Sequence, residues 1–152
     1  MKTVAVRTIK RTDPDTTKAL GHAGVSTVHE AQGRIGLMKP YMRPIYAGAK
    51  VSGTAITVLA QPGDNWMRHV AIELCQPGGI RVFACTPDNG DGFFGDLLAT
   101  SARARGVVGL VIDGGTRDVA DLQQMGFPVW SRAISSKGTV KTTPGAVNVP
   151  II

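Results

Sequence analysis

Apolar residues along the chain follow two different spacings. Residues 49–59 are rich in Val, Ile and Thr and predict a strand, as does Ile80–Cys85. Val107–Ile112 is a short apolar run, the pattern of a strand covered on both faces. Pro128–Trp130 opens another strand. The intervening segments have helical spacing. Asp64 follows the turn Gln61-Pro62-Gly63 and predicts a cap for a helix through Ala71 and Cys75. Phe94 or Gly95 opens a helix through Leu97, Leu98, Thr100 and Ser101, closed by Arg103, Arg105 and Gly106. Asp118–Met125 predicts a third helix, stopped by Gly126. Nearer the start, Asp13-Pro14 reads as a cap with proline in the first turn, and Gly21 closes that helix. Ser26 or Thr27 caps a second short helix that ends at Gly33. Residues 34–48 read as an irregular connection, and Ser136–Pro144 as a polar one. Ala146–Ile152 reads as an apolar end strand, expected either to pair in an oligomer or to mark a sequence that stops before its natural end.

Alternating strands and helices predict an α/β fold, a layered α/β/α domain with a largely parallel central sheet. The 152 residues fit a single domain over residues 1–152. They exclude a (β/α)₈ barrel, which needs roughly 250 residues. Apolar residues make 43% of the chain and charged residues 18%, so a disordered chain is excluded. No apolar run approaches the roughly 18 residues of a membrane-spanning helix, and the N-terminal MKTVAVRTIKRTD lacks the apolar block of a secretory signal. The net charge is +6, but the basic residues are scattered singly or in short sets such as Lys10-Arg11, and few aromatics are available for stacking. The expected partners are therefore small anionic molecules, with no nucleic acid and no membrane. Cys75 and Cys85 lack metal-ligand spacing and read as buried thiols of a cytoplasmic protein.

In open parallel sheets, ligands bind beyond the carboxyl ends of the strands. Two predicted loops lie there, Asp88–Asp96 and Asp113–Asp118. The first leads into a helix whose N–H groups at Gly95, Asp96, Leu97 and Leu98 suit a carboxylate or phosphate. The second offers the Arg117 guanidinium for an oxyanion, and Asp118 as a hard oxygen ligand for Mg²⁺ or Mn²⁺. Asp96 faces them from the first loop, where it can orient metal-bound water. Bland readings stand beside these. Asp96 and Asp118 also fit first-turn acids favoured by the helix dipole, Arg117 a surface ion pair, and Asp121 a solvated helix acid. His22, His29 and His69 have no ligand spacing and read as structural. Gly90-x-Gly92-x-x-Gly95 matches a dinucleotide-binding pattern with Asp113 ending the next strand, which makes a nicotinamide-binding protein a lesser alternative.

The spacing from Asp96 across twenty residues to Arg117-Asp118 resembles the signature of metal-dependent class II pyruvate aldolases. The segments GFFGDLLATS, GLVIDGGTRD, VSTVHEAQGRIGLMKP, VSGTAITVLAQPGDNWM and MGFPVWSRAISSKGTVK extend the likeness over almost the whole chain. Together they resemble the 4-hydroxy-4-methyl-2-oxoglutarate/4-carboxy-4-hydroxy-2-oxoadipate aldolase family, a lyase family of protocatechuate and related aromatic catabolism. It shares its fold with the regulator-of-ribonuclease-activity A proteins.

The resemblance implies trimers or hexamers with the site at a subunit interface. It implies that Asp118 holds Mg²⁺ largely through waters, with Asp96 on the water shell and Arg117 on the pyruvyl oxygen. The backbone of Gly95–Leu98 would cradle the carboxylate, and Asn65 would line the site. The ribonuclease-inhibitor branch lacks the acid at the position of Asp96, so its presence favours the aldolase over a non-catalytic ribonuclease-binding regulator. Family chains continue for several tens of residues past VNVPI, and that extension gives a neighbouring subunit an acidic residue, which this chain is expected to lack. The implied reaction is retro-aldol cleavage to pyruvate, with oxaloacetate decarboxylation as a side activity. A metal-activated water near Asp96 is the expected proton acceptor. A Schiff-base route is the rival, with Lys50, Lys137 and Lys141 available but none in an evident apolar pocket.

Overall fold

The computed structural model describes residues 3–152. In chain order the elements are β1 (Val4–Ala5), α1 (Pro14–Ala23), α2 (Val25–Ala31), β2 (Arg43–Pro44), β3 (Thr54–Ala60), α3 (Trp66–Glu73), β4 (Gly79–Cys85), β5 (Gly92–Phe94), α4 (Asp96–Ala104), β6 (Gly109–Thr116), α5 (Val119–Gln124), β7 (Val129–Ile134) and β8 (Ala146–Val147). They form one eight-stranded sheet in the order β1-β8-β3-β4-β6-β7-β2, with β5 paired to the end of β6. The central strands β3, β4, β6 and β7 are parallel, so the expected α/β class and largely parallel sheet are observed. Strands β2 and β8 join it antiparallel.

Strand alternation explains the core. Ile56 and Val58 of β3, Phe83 of β4, Leu110 and Ile112 of β6 and Val129 of β7 are buried together. Met67 and Ala71 of α3, Ala99 and Ala102 of α4 and Leu122 of α5 pack onto them. Residues of the opposite register, among them Thr57, Val82, Val111 and Trp130, are only half-buried. Helices α1 and α2 contribute no buried residue. Exposed Leu20, Val25, Leu37 and Met38 line a groove beside Trp130.

Several local expectations are corrected. Helix α1 begins as predicted, with the Asp13 side chain accepting from the Thr16 N–H, but it runs through Gly21 to Ala23 because Gly24, at φ 86°, makes the break. Gly24 also starts α2, so neither Ser26 nor Thr27 is the cap. Strand β3 begins at Thr54 rather than at residue 49. Helix α3 begins after Asn65, and Asp64 has a different task described below. The end strand is only Ala146–Val147, and it pairs within the chain, between β1 and β3. Asn148 adopts φ 58° and ends it.

The largest correction concerns Asp113–Asp118. Asp113 to Thr116 are not loop, because β6 continues through Thr116 and takes β5 as a partner. A side chain at Gly115 would collide with the backbone of Gly90 and Asp91, so glycine permits this close pairing. Gly92 likewise belongs to β5, which removes the strand–turn–helix layout of a dinucleotide site. The Asp113 carboxylate instead accepts from Arg132 Nε at 2.6 Å and from the Tyr41 hydroxyl at 3.0 Å.

Candidate active site

The ends of β5 and β6 bring the two chemistry-bearing turns together. Arg117 N–H donates to the Phe94 carbonyl at 2.8 Å, which locks the turn after β6 against the turn before α4. Asp118 sits in the left-handed region, at φ 54° and ψ 41°, and starts α5 without a capping bond. That conformation aims its carboxylate back at α4. Asp118 Oδ2 accepts the Asp96 N–H at 3.3 Å and lies 3.4 Å from Arg117 Nε. A Cβ at Gly95 would overlap the same carboxylate, so a larger residue there would displace Asp118.

Beside this junction lies a cavity of about 210 Å³. Asn65, Gly95, Asp96, Leu97, Leu98 and Arg117, all predicted from the sequence, line it. Asp118 is not among the lining residues but adjoins them, through the Asp96 N–H and the Arg117 guanidinium. Because the Asp96 N–H is spent on Asp118, the four-donor cradle is reduced to the N–H groups of Gly95, Leu97 and Leu98. Asp121 is an exposed acid outside the cavity.

Sequence reasoning missed two cationic or titratable lining residues, His69 and Lys141. His69 lies one helical turn after Asn65, a spacing that places both on one face of α3. Lys141 arrives from far along the chain. Asn65 N–H donates to the Val140 carbonyl at 2.9 Å, and Val140 N–H to the Gly63 carbonyl at 2.9 Å. Asp64 completes this clamp. Its Oδ2 accepts from the Thr142 and Thr143 N–H groups at 2.7 and 2.6 Å, and its Oδ1 from the Trp66 N–H at 2.8 Å. Burial alone would raise the Asp64 pKa, but these bonds outweigh it and hold the carboxyl below its ordinary range. The lysine expected to have no pocket is therefore at the wall of one.

Among the described residues, no three His, Cys, Asp or Glu side chains cluster as a metal site. Mg²⁺ needs no such cluster, because it keeps most of its waters and accepts one or two carboxylates. Asp118 and Asp96 lie on adjoining turns, tied by the bond from the Asp96 backbone N–H to Asp118 Oδ2.

A family model described as RraA-like, Aldolase/RraA, matches residues 16–152. The chain belongs to the RraA-like family. Among its relatives, a Halalkalibacterium halodurans protein provisionally named 4-hydroxy-4-methyl-2-oxoglutarate aldolase is 31% identical over 110 residues, covering 72% of this chain and 52% of that protein. A Burkholderia multivorans protein with the same provisional name is 30% identical over 125 residues, covering 80% of this chain and 73% of that protein. The chain thus spans about half the length of the first of these RraA-like relatives. In fold it is similar to Streptomyces coelicolor RraAS2, described as an unusual member of the RNase ES inhibitor RraA family. That likeness has a TM-score of 0.78 at 24% identity and covers 95% of this chain and 76% of that one.

Proposed function

We propose that the cavity binds a small 2-oxo acid and that the whole protein is a class II pyruvate aldolase. Its reaction would cleave 4-hydroxy-4-methyl-2-oxoglutarate or 4-carboxy-4-hydroxy-2-oxoadipate to pyruvate and a second oxo acid. The observation that carries this reading is the convergence of Arg117, Asp96 and the first turn of α4 on one cavity of small-molecule size. The aldolase names of the relatives agree with it.

The substrate carboxylate would meet the free N–H groups of Leu97 and Leu98, where the helix dipole favours negative charge. Arg117 would take the 2-oxo oxygen. As the C3–C4 bond breaks, its electron pair moves into the pyruvyl unit, and the positive guanidinium stabilises the enolate oxygen. The 4-hydroxyl proton leaves to a water oriented by Asp96, and the enolate is then protonated at carbon to release pyruvate. Asn65 Oδ1 is buried and has no partner among the described residues, so it would accept from a substrate hydroxyl. Asp118, with Asp96 on the water shell, would hold Mg²⁺ or Mn²⁺, which as a Lewis acid lowers the cost of negative charge on the 2-oxo group. Oxaloacetate decarboxylation passes through the same enolate and is the expected side activity.

No helix among the described residues is long and apolar enough to cross a membrane. Trimeric or hexameric assembly is supported by the half-buried second face of the sheet and by the exposed apolar residues of α1 and α2. Pyruvate release from 4-carboxy-4-hydroxy-2-oxoadipate, measured with Mg²⁺ and with EDTA on this chain and on a C-terminally extended one, tests the function. Mg²⁺-dependent release supports it. Borohydride trapping at Lys141 with EDTA-insensitive release would replace it by the Schiff-base route. Ribonuclease capture with no release would replace it by the regulator reading.

A further inference from the structure

Two of the arginines are not on the surface. Arg68 and Arg81 are 0% and 1% exposed. Arg68 belongs to α3 and directly precedes the cavity residue His69. Its guanidinium carbon lies 4.6 Å from the ring centre of Phe83 and 4.7 Å from that of Phe94. Phe94 in turn directly precedes Gly95 and Asp96 of the cavity wall. Arg81 lies on the helix-facing side of β4, and its Nη2 donates to the Arg68 carbonyl at 2.8 Å.

Neither guanidinium forms an ion pair among the described residues. Arg68 Nε, Nη1 and Nη2 and Arg81 Nε and Nη1 have no hydrogen-bond partner among the described residues. Burial pulls both pKa values down, that of Arg81 to about 10, and the mutual repulsion adds to the effect on Arg68. Guanidinium is nonetheless the side chain slowest to give up its proton, so the pair is positive at neutral pH. Two ring faces offset part of the desolvation cost. With no counter-charge among the described residues, such a buried charge acts at a distance through a low-dielectric medium. The cavity walled by Asn65, His69 and Asp96 is the adjoining space in which an anion can answer it.

We infer that Arg68 and Arg81 are positioning residues for this cavity, a fixed positive charge behind its wall that favours an anionic ligand. The inference rests on the proposed function only in treating the cavity as an anion site. His69 agrees with it. Burial first, then Lys141, Arg81 and Arg68, hold the imidazole below its ordinary value. The groups around it are Lys141 from the 138–141 segment, Arg117 and Asp96 across the cavity, and the two arginines behind it.

The test is an NMR titration of the three histidines in the wild-type chain, Arg68→Met and Arg81→Met, with pyruvate affinity read on the same samples. We expect the wild-type His69 midpoint to fall below about 6.5 and to rise by about half a pH unit in each variant. His22 and His29 stay in place as internal controls. Pyruvate then binds about three-fold more weakly in each variant, the equivalent of half a pH unit. Should one variant fail to fold, the other decides. An ordinary midpoint in the wild-type chain, or one unmoved by either substitution, overturns the inference. If pyruvate does not bind but the His69 midpoint moves as stated, the inference stands and the proposed substrate class fails.

Discussion

Asp118 Oδ2 accepts the backbone N–H of Asp96 at 3.3 Å, and this bond joins the turn after β6 to the N-terminus of α4. The two acids are twenty-two residues apart and start different helices, yet they act as one structural unit. Gly95 makes it possible, since any side chain there would strike the Asp118 carboxylate. Gly95→Ala is therefore expected to destabilise the fold by about 1–3 kcal/mol, the usual cost of forcing atoms into a packed position. It should also abolish ligand binding in the cavity. Urea unfolding and a pyruvate titration check both, and unchanged binding would show that the junction does not shape the site.

Asp64 holds the 140–143 segment, and with it Lys141, at the cavity. Asp64→Asn should cost about 3 kcal/mol, because it removes the charge from a buried acceptor of several N–H groups. The depressed carboxyl pKa sets a pH dependence with a definite sign. The stabilisation is present above the unfolded-state value of about 3.9 and is lost as pH falls through the lower folded value. Protection of the Thr142 and Thr143 amides, relative to intrinsic exchange, should fall in acid in the wild-type chain and already be lower at neutral pH in Asp64→Asn. Equal protection in the two proteins at neutral pH would remove Asp64 from this role.

Arg68 carries a buried charge without a carboxylate partner. Apolar replacement of buried charges is often neutral or stabilising, by about 1–4 kcal/mol. Arg68→Met is expected to raise the urea midpoint, while its positioning role predicts weaker ligand binding. A clear loss of stability would mean that the two ring contacts outweigh the desolvation cost.

Cys75 and Cys85 are buried free thiols, and burial pushes the pKa of each up. A thiol reagent should leave the folded chain unmodified at neutral pH and label both positions in denaturant. Rapid labelling of the folded protein would contradict the packing around α3 and β4.

Much of the site was legible because its parts lie near strand ends. Ile80–Cys85 and Val107–Ile112 are unmistakable apolar runs, so Asp96 and Arg117 could be placed in neighbouring turns. Asp113-Gly114-Gly115 was misread as loop, because Asp-Gly and Gly-Gly are turn dipeptides and the short strand β5 that pairs with them carries no strand periodicity. Lys141 was not legible at the cavity, because its place depends on one bridge between Asp64 and Val140, distant in sequence. Arg68 and Arg81 did not stand out, because the basic residues are scattered along the chain. Their spacing pointed inward, since Arg68 shares a helical stripe with Ala71, Ile72 and Cys75, and Arg81 alternates with Phe83 and Cys85.

The central claim is that Arg117 stabilises an enolate in the cavity beside α4. Turnover of 4-carboxy-4-hydroxy-2-oxoadipate to pyruvate, compared between the wild-type chain and Arg117→Ala at saturating Mg²⁺, tests it most directly. The account predicts Mg²⁺-dependent pyruvate release that falls by about 10²–10³-fold in the variant. Near-normal release by Arg117→Ala, with the variant folded, would contradict it.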